Sequence, residues 1–295
     1  MSFGVDHPVV AVSDLKSARA QAKALGFLGG IHYVHPWGTE NELILFGDTF
    51  IELISITRPA LAGLGDANGF RFARLIEARM KIGGGVAMVA LYCKDVEHDH
   101  ALIEAQGFAP WSPITFEWQA RNGQGEAFDS GVILDVLHDP KQLFLTQFLC
   151  QQLRPDLLRP NGYFPDHPNG TSRVSALWYV SDDWERDIHF FRIIHGEERI
   201  SAVEGGYHIA TSKADIWLVT PEQASSRLPS LGSVAASPPR AVAISLETTD
   251  LAAAIQEWQR NGVPFEQVSP LAAEVPATVL GNTLLRFEQC EECLW

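Results

Sequence analysis

One local pattern recurs four times along the 295-residue chain, and it constrains the fold more than any other feature of the sequence. Each copy is an apolar run of strand length, an acidic residue opening an amphipathic run, a glycine, and then further apolar runs. In the first copy 5–12 reads as a strand, Asp14 as a helix N-cap, 15–25 as the helix and Gly26 as its end. Strands follow at 31–35, 42–46 and 49–56, with Gly47-Asp48 as a hairpin turn. An aspartate at a helix start accepts orphaned backbone N–H groups, and a glycine past the last turn takes the left-handed conformation that stops the helix. The unit is therefore βαβββ.

The second copy has a strand at 86–93, Asp95 as cap, Gly107 as stop, and strands at 132–137 and 142–149. In the third copy 174–180 is the strand, Asp182 or Asp183 the cap, and 208–211 and 215–220 the closing strands. The fourth has a strand at 241–246, Asp250 capping 251–260, Asn261-Gly262 as stop, and strands at 278–280 and 283–287 around Gly281-Asn282. A four-stranded sheet with one helix is too small to bury its own apolar face. Pairing the copies solves this and predicts an α+β chain of two domains, each an open-barrel cup of two modules. The boundaries are 1–150 (modules 1–57 and 84–150), a linker at 151–171 holding Pro155, Pro160, Pro165 and Pro168, and 172–295 (modules 172–222 and 238–295). Between the first two modules, Phe72, Leu75, Ile76 and Met80 have helical spacing.

The formal net charge of −14 and the lack of any Lys/Arg cluster argue against nucleic acid as a partner. No apolar run reaches the roughly 20 residues of a membrane helix, and the first residues lack a leader's basic and apolar regions, so a cytoplasmic protein is expected. Cys93 and Cys150 sit in apolar runs and read as core. Cys290-x-x-Cys293 has no second pair or histidines to make a zinc site. No G-x-S-x-G elbow or phosphate-binding glycine loop is present.

Four stretches carry a likeness to known proteins: Val5-Asp6-His7-Pro8-Val9-Val10-Ala11-Val12, His35-Pro36-Trp37-Gly38-Thr39-Glu40-Asn41, Phe50-Ile51-Glu52-Leu53 and His167-Pro168-Asn169-Gly170. With these, 1–175 resembles the glyoxalase-like domain family. The module layout resembles the vicinal-oxygen-chelate superfamily, which includes glyoxalases, bleomycin resistance proteins and extradiol dioxygenases. The remainder of the chain matches in module pattern alone.

The resemblance implies a divalent metal, Zn, Mn, Fe or Ni, held by side chains from the first and last strands of paired modules. His7 and Glu52 stand at such positions, and alignment of the last strands adds Gln147. The same alignment puts Met88 where His7 would recur, Ser175 or Ala176 with Trp217 in the third copy, and Ala243 with Arg286 in the fourth. That second half has no ligand set, which disfavours an extradiol dioxygenase. His7 and Glu52 read equally as a structural histidine and its buried carboxylate partner, since a buried carboxylate must be paired.

His35, Trp37 and Asn41 form a polar, aromatic stretch suited to binding substrate, or a turn with a packed indole. Trp118 and Arg121 are candidates for the opposite wall, Arg121 equally a surface residue. His32, His189, His195 and His208 read as surface or structural residues. Two functions follow from the resemblance. One is a metal-assisted lyase, isomerase or related enzyme on a small oxygen-bearing molecule, with Glu52 as the catalytic base. The other is a metal-free protein that binds or sequesters a small molecule, the second domain serving for packing or as a homodimer surface.

Overall fold

The computed structural model describes residues 3–62, 70–109, 111–121, 127–155 and 165–290, without the side chains of Ala120, Arg121 and Phe128. The first module is β1 (Gly4–Ala11), α1 (Leu15–Ala24), β2 (His32–Val34), β3 (Thr39–Leu45) and β4 (Phe50–Ile56). Helix α2 (Phe72–Lys81) leads to the second: β5 (Gly85–Tyr92), α3 (Val96–Ala105), β6 (Ile114–Arg121), β7 (Ala127–Leu137) and β8 (Gln147–Gln152). The third is β9 (Thr171–Val180), α4 (Trp184–His195), β10 (Ile200–Val203), β11 (Gly206–Ile209) and β12 (Asp215–Val219). After α5 (Pro221–Arg227) comes the fourth: β13 (Arg240–Thr248), α6 (Leu251–Asn261), β14 (Glu266–Ser269), β15 (Ala272–Val275) and β16 (Leu284–Gln289).

The four module helices start alike. Asp14, Asp95, Asp183 and Asp250 each accept the backbone N–H three residues on, from Ser17, His98, Arg186 and Ala253. A cap of this kind contributes about 1 kcal/mol. Gly26, Gly107, Gly196 and Gly262 follow the helices with φ between +66° and +87°, a region costly for any residue with a Cβ.

The strands form two eight-stranded sheets of the same order, β2-β3-β4-β1-β5-β8-β7-β6 and β10-β11-β12-β9-β13-β16-β15-β14. In each, two modules join through their antiparallel first strands, β1 with β5 and β9 with β13. The α+β class and paired-module architecture expected from the sequence are what is found. We take each sheet as one domain, with the boundary in 151–171.

Some local expectations need correction. Residues 278–280 are turn, not strand, because Pro276 has already ended β15 and the chain turns before β16. Residues 142–146 are not strand either: Leu143–Leu145 make one 3-10 turn ahead of β8. β6, β10 and β14 give weak strand signals, since edge strands carry polar residues on both faces, as in Glu-Gln-Val-Ser of β14; β15 is an interior strand of four residues. The stretch read as linker is partly fixed: His167 accepts from Leu28 N at 3.0 Å and bonds Leu45 O at 2.8 Å, while Asn169 donates to Leu25 O at 2.9 Å. Residues 156–164 lie outside the described part.

One apolar cluster lies between the sheets and around the module helices, and it draws on both halves: Leu25, Ile51, Leu91, Tyr179, Phe191, Ile244 and Trp258 all belong to it. The Trp258 indole donates to Leu25 O at 3.0 Å, tying α6 to the end of α1. The other face of the first sheet is the inside of a half-barrel. There the edge strands β2 and β6 meet, Tyr33 against Trp118 with ring centroids 5.3 Å apart. Helix α2 packs into this cup, placing Phe72, Leu75 and Ile76 with Val9, Ala11, Met88 and Phe148 in a second cluster.

Candidate functional site

The deepest polar group in the first cup is built on β1 and β4. These strands run parallel with Val9 opposite Glu52. His7 and Glu52 therefore come together, as the sequence implied: His7 Nε2 lies 3.3 Å from Glu52 Oε2. Both are almost wholly buried, at 4% and 9% exposure. The His7 ring stacks on Phe50 with centroids 3.9 Å apart, and the edge of Phe148 faces it.

Asp6 was not singled out from the sequence. Its Oδ2 accepts from His7 Nδ1 at 2.9 Å. Neighbours in a regular strand point to opposite faces, but the β1–β5 register shifts between Val5 and His7, and this bulge brings Asp6 alongside the ring. The Asp-His dipeptide is the one signal that could have suggested the pair. On the other side, Asn41 Nδ2 donates to Glu52 Oε1 at 2.7 Å, and Asn41 Oδ1 accepts from Tyr33 N at 3.0 Å. The same Nδ2 lies 3.5 Å from His35 Nε2, whose ring bonds Thr39 Oγ1 through Nδ1 at 2.8 Å.

The charges follow from this geometry. Burial is the largest influence on His7 and would lower its pKa, but hydrogen bonds and charge from Asp6 and Glu52 together outweigh it and raise the pKa above the ordinary histidine value. Burial likewise pushes the Glu52 carboxyl up, yet His7, His35 and Asn41 hold it below the usual range. The His35 pKa is lowered, chiefly by burial. Below the raised His7 pKa the centre is an imidazolium between two carboxylates.

Trp37 is buried, its ring stacked on His35 at 4.8 Å and packed against Phe116 at 4.6 Å and Phe72 at 5.5 Å. The residues 35–39 form a tight turn, closed by His35 N to Thr39 O at 2.8 Å and Gly38 N to His35 O at 3.1 Å. Gly38 has φ +90°, and a Cβ there would sit 2.4 Å from Arg58 O. Trp37 Nε1 is a buried donor with no hydrogen-bond partner, while the Trp118 side chain is hydrogen-bonded to Tyr33. Four of the five residues expected to bind substrate thus line or border one cup. The Arg121 side chain lies outside the described residues.

Gln147 is not among them. β5 and β8 pair with Ala90 opposite Phe148, the relation that Val9 has to Glu52, so Phe148 is the counterpart of Glu52. Gln147 faces the other side of the sheet, where its Oε1 bonds His195 Nε2 of the second half at 3.0 Å. The 3-10 turn before β8 shifts the register by one residue from the sequence alignment.

These findings bear on the implied metal. A divalent ion in this cup would find His7 and Glu52, with Met88 and Phe148 at the two matching positions of the second module. Among the described residues, no three His, Cys, Asp or Glu side chains are placed to hold a metal ion together. A phenyl ring offers no donor atom and a thioether is a poor one for hard divalent ions, so the donor set does not fit a metal held by the protein. In the second sheet the parallel pairing sets Trp178 against Trp217 and Ser245 against Arg286, which places Trp217 and Arg286 where Glu52 lies in the first.

A family profile described as a glyoxalase-like domain matches residues 5–187. The chain belongs to the glyoxalase-like domain family. No curated protein sequence matches it significantly. A hypothetical protein from Staphylococcus aureus has a similar structure, with TM-score 0.68, 13% identity, and coverage of 98% of this chain and 100% of that one. A triple mutant of 4-hydroxymandelate synthase from Streptomyces coelicolor matches with TM-score 0.58 and 11% identity over 98% of this chain and 92% of its own. A xylose isomerase-like TIM barrel/4-hydroxyphenylpyruvate dioxygenase fusion protein matches with TM-score 0.58 and 14% identity over 98% of this chain and 50% of its own. At these identities the likeness establishes the fold, that of paired vicinal-oxygen-chelate modules. No helix among the described residues is long and apolar enough to cross a membrane.

Proposed function

We propose that this glyoxalase-like protein binds a small, flat, oxygen-bearing molecule in its N-terminal cup without a resident metal. The observation that carries this reading is the buried indole donor of Trp37, left without an acceptor in an aromatic-walled cup. A buried polar group without a partner costs about 1–3 kcal/mol. A ligand oxygen at the Trp37 indole would recover that, while Phe72 and Phe116 cover the rest of the molecule.

This favours the binding function over the metal-dependent lyase or isomerase, because the residues at the remaining ligand positions are Met88 and Phe148. The test has two arms. Protein purified without chelator should contain no stoichiometric zinc, manganese, iron or nickel, and added divalent ions should leave its Tm unchanged. A metal present at one per chain and lost in His7→Ala overturns the proposal. Titration with 1-naphthol, salicylate and 4-hydroxybenzoate should quench tryptophan fluorescence saturably. Trp37→Phe keeps the ring and removes the N–H, and should weaken binding about tenfold, the equivalent of ~1.4 kcal/mol.

A further inference from the structure

One face of the second sheet forms an open cleft of about 790 Å³, within the size range of small-molecule sites. It lies on the face equivalent to the one against which α2 packs in the first half. Helix α5 packs only against one part of this face, with Trp178, Val180, Val219 and Val242. Among the described residues no aromatic contact bridges the edge strands β10 and β14, as Tyr33 and Trp118 bridge those of the first sheet.

The wall is polar and already paired within itself. Arg173 holds one oxygen of Glu247, Nε at 2.8 Å and an Nη at 2.7 Å from Oε2. Arg286 Nε donates to Glu288 Oε1 at 2.7 Å, while its Nη1 donates to the buried Glu274 at 2.8 Å. Glu247 and Glu288, which border the cleft, each keep a second oxygen outside the pair, whereas that of Glu274 accepts from Ser230 N at 2.8 Å. Ser175, on the β9 bulge, lines the cavity with a buried hydroxyl that has no partner. Trp217 has its faces taken, by Trp178 stacked at 5.0 Å and by Arg227 at 4.7 Å, so its edge is what a ligand meets.

We propose that this C-terminal cup is a second binding site, specific for a polyhydroxylated small molecule of sugar type, neutral or bearing an ammonium group. Fixed carboxylate oxygens beside guanidinium N–H groups and a serine hydroxyl offer acceptors and donors in alternation, which is what adjacent hydroxyls need. The carboxylates of Asp215, Glu247 and Glu288 outnumber the guanidiniums of Arg173 and Arg286 on the wall, so an anion is disfavoured. The site is independent of the N-terminal cup.

Calorimetry on the full chain with D-glucosamine, D-glucose and citrate tests it. Saturable binding of a sugar at Kd below about 10 mM is expected, with citrate at least tenfold weaker. Glu247→Gln should weaken D-glucosamine about tenfold, and Ala272→Trp should fill the cavity and abolish binding. His7→Ala should leave it unchanged, which separates this site from the first. No saturable binding of either sugar, citrate binding as well as the sugars, or sugar binding that survives both Glu247→Gln and Ala272→Trp overturns the proposal. Glu247→Gln alone is decisive if the tryptophan variant does not fold.

Discussion

Lys213, on the β11–β12 connection of the C-terminal half, places its ammonium 3.4 Å from Asp6 Oδ1 in the N-terminal cup. The same nitrogen donates to Asp48 O at 2.5 Å and lies over the Tyr92 ring. Asp6 stands between this cation and His7, so the N-terminal polar network is completed from the other half of the chain. Replacing Lys213 with Met should cost about 1–3 kcal/mol, less than a buried pair with no other partner, because Asp6 keeps His7. It should also raise the His7 pKa, since Asp6 then acts on the imidazolium without a competing cation. Urea unfolding and imidazole 15N shifts against pH measure the two effects. An unmoved His7 would mean that the ammonium does not influence the site.

The His7–Glu52 pair predicts a window of stability. The His7 pKa is raised in the folded state, so its contribution is complete below the unfolded value of about 6.5 and is lost as pH rises through the higher folded value. The Glu52 pKa is depressed, so its contribution is present above the unfolded value of about 4.3 and is lost as pH falls through the lower folded value. Both act fully between about pH 4.5 and 6.5. Glu52→Gln should lower Tm most in that window and least at alkaline pH, where the wild type keeps a buried carboxylate beside a neutral imidazole. A uniform loss of Tm across pH would contradict the pairing.

His195 predicts the acid limb. It is buried between the two halves against Gln147, and burial lowers its pKa to about 3. The unfolded chain binds this proton near pH 6.5, so the folded state loses stability as pH falls from about 6.5 toward 3. His195→Gln removes the titration. Its stability should be lower than wild type at pH 8 but should fall less steeply on acidification, measured as Tm over the same pH series.

The module repeat was legible because its signals are local. Each Asp cap and each terminating Gly acts within one helix turn. His7 and Glu52 were legible as a pair once the first and last strands of a module are known to be adjacent. Asp6 was hidden by a bulge, and the Gln147 assignment failed because a single 3-10 turn moves every later side chain to the opposite face. Lys213 was beyond reach, since 207 residues separate it from Asp6 and nothing near it in sequence marks the contact. The open second cup was hidden for a similar reason. The Arg–Glu pairs that line it look in sequence like ordinary charged strand residues.

Met88 offers the sharpest check on why the first cup lacks a metal donor set. It is buried on β5 and corresponds to His7 in the second module, with Val9 of β1 opposite it. Its side chain resembles imidazole in length, so Met88→His is a small change in volume with a donor added. If the cup keeps the geometry of a metal site and lacks only ligands, this variant should gain three-donor binding with His7 and Glu52. Zinc or cobalt should then bind at least about a hundredfold tighter than to wild type, a change of ~2.7 kcal/mol. Cobalt offers a direct readout, through the visible absorption of a low-coordinate Co²⁺ centre. Tm should rise with added zinc in Met88→His, and the rise should vanish in the double variant with His7→Ala. A folded Met88→His that binds no better than wild type would show that the bracketing of His7 by Asp6 and Glu52, and not the missing ligands, keeps the cation out.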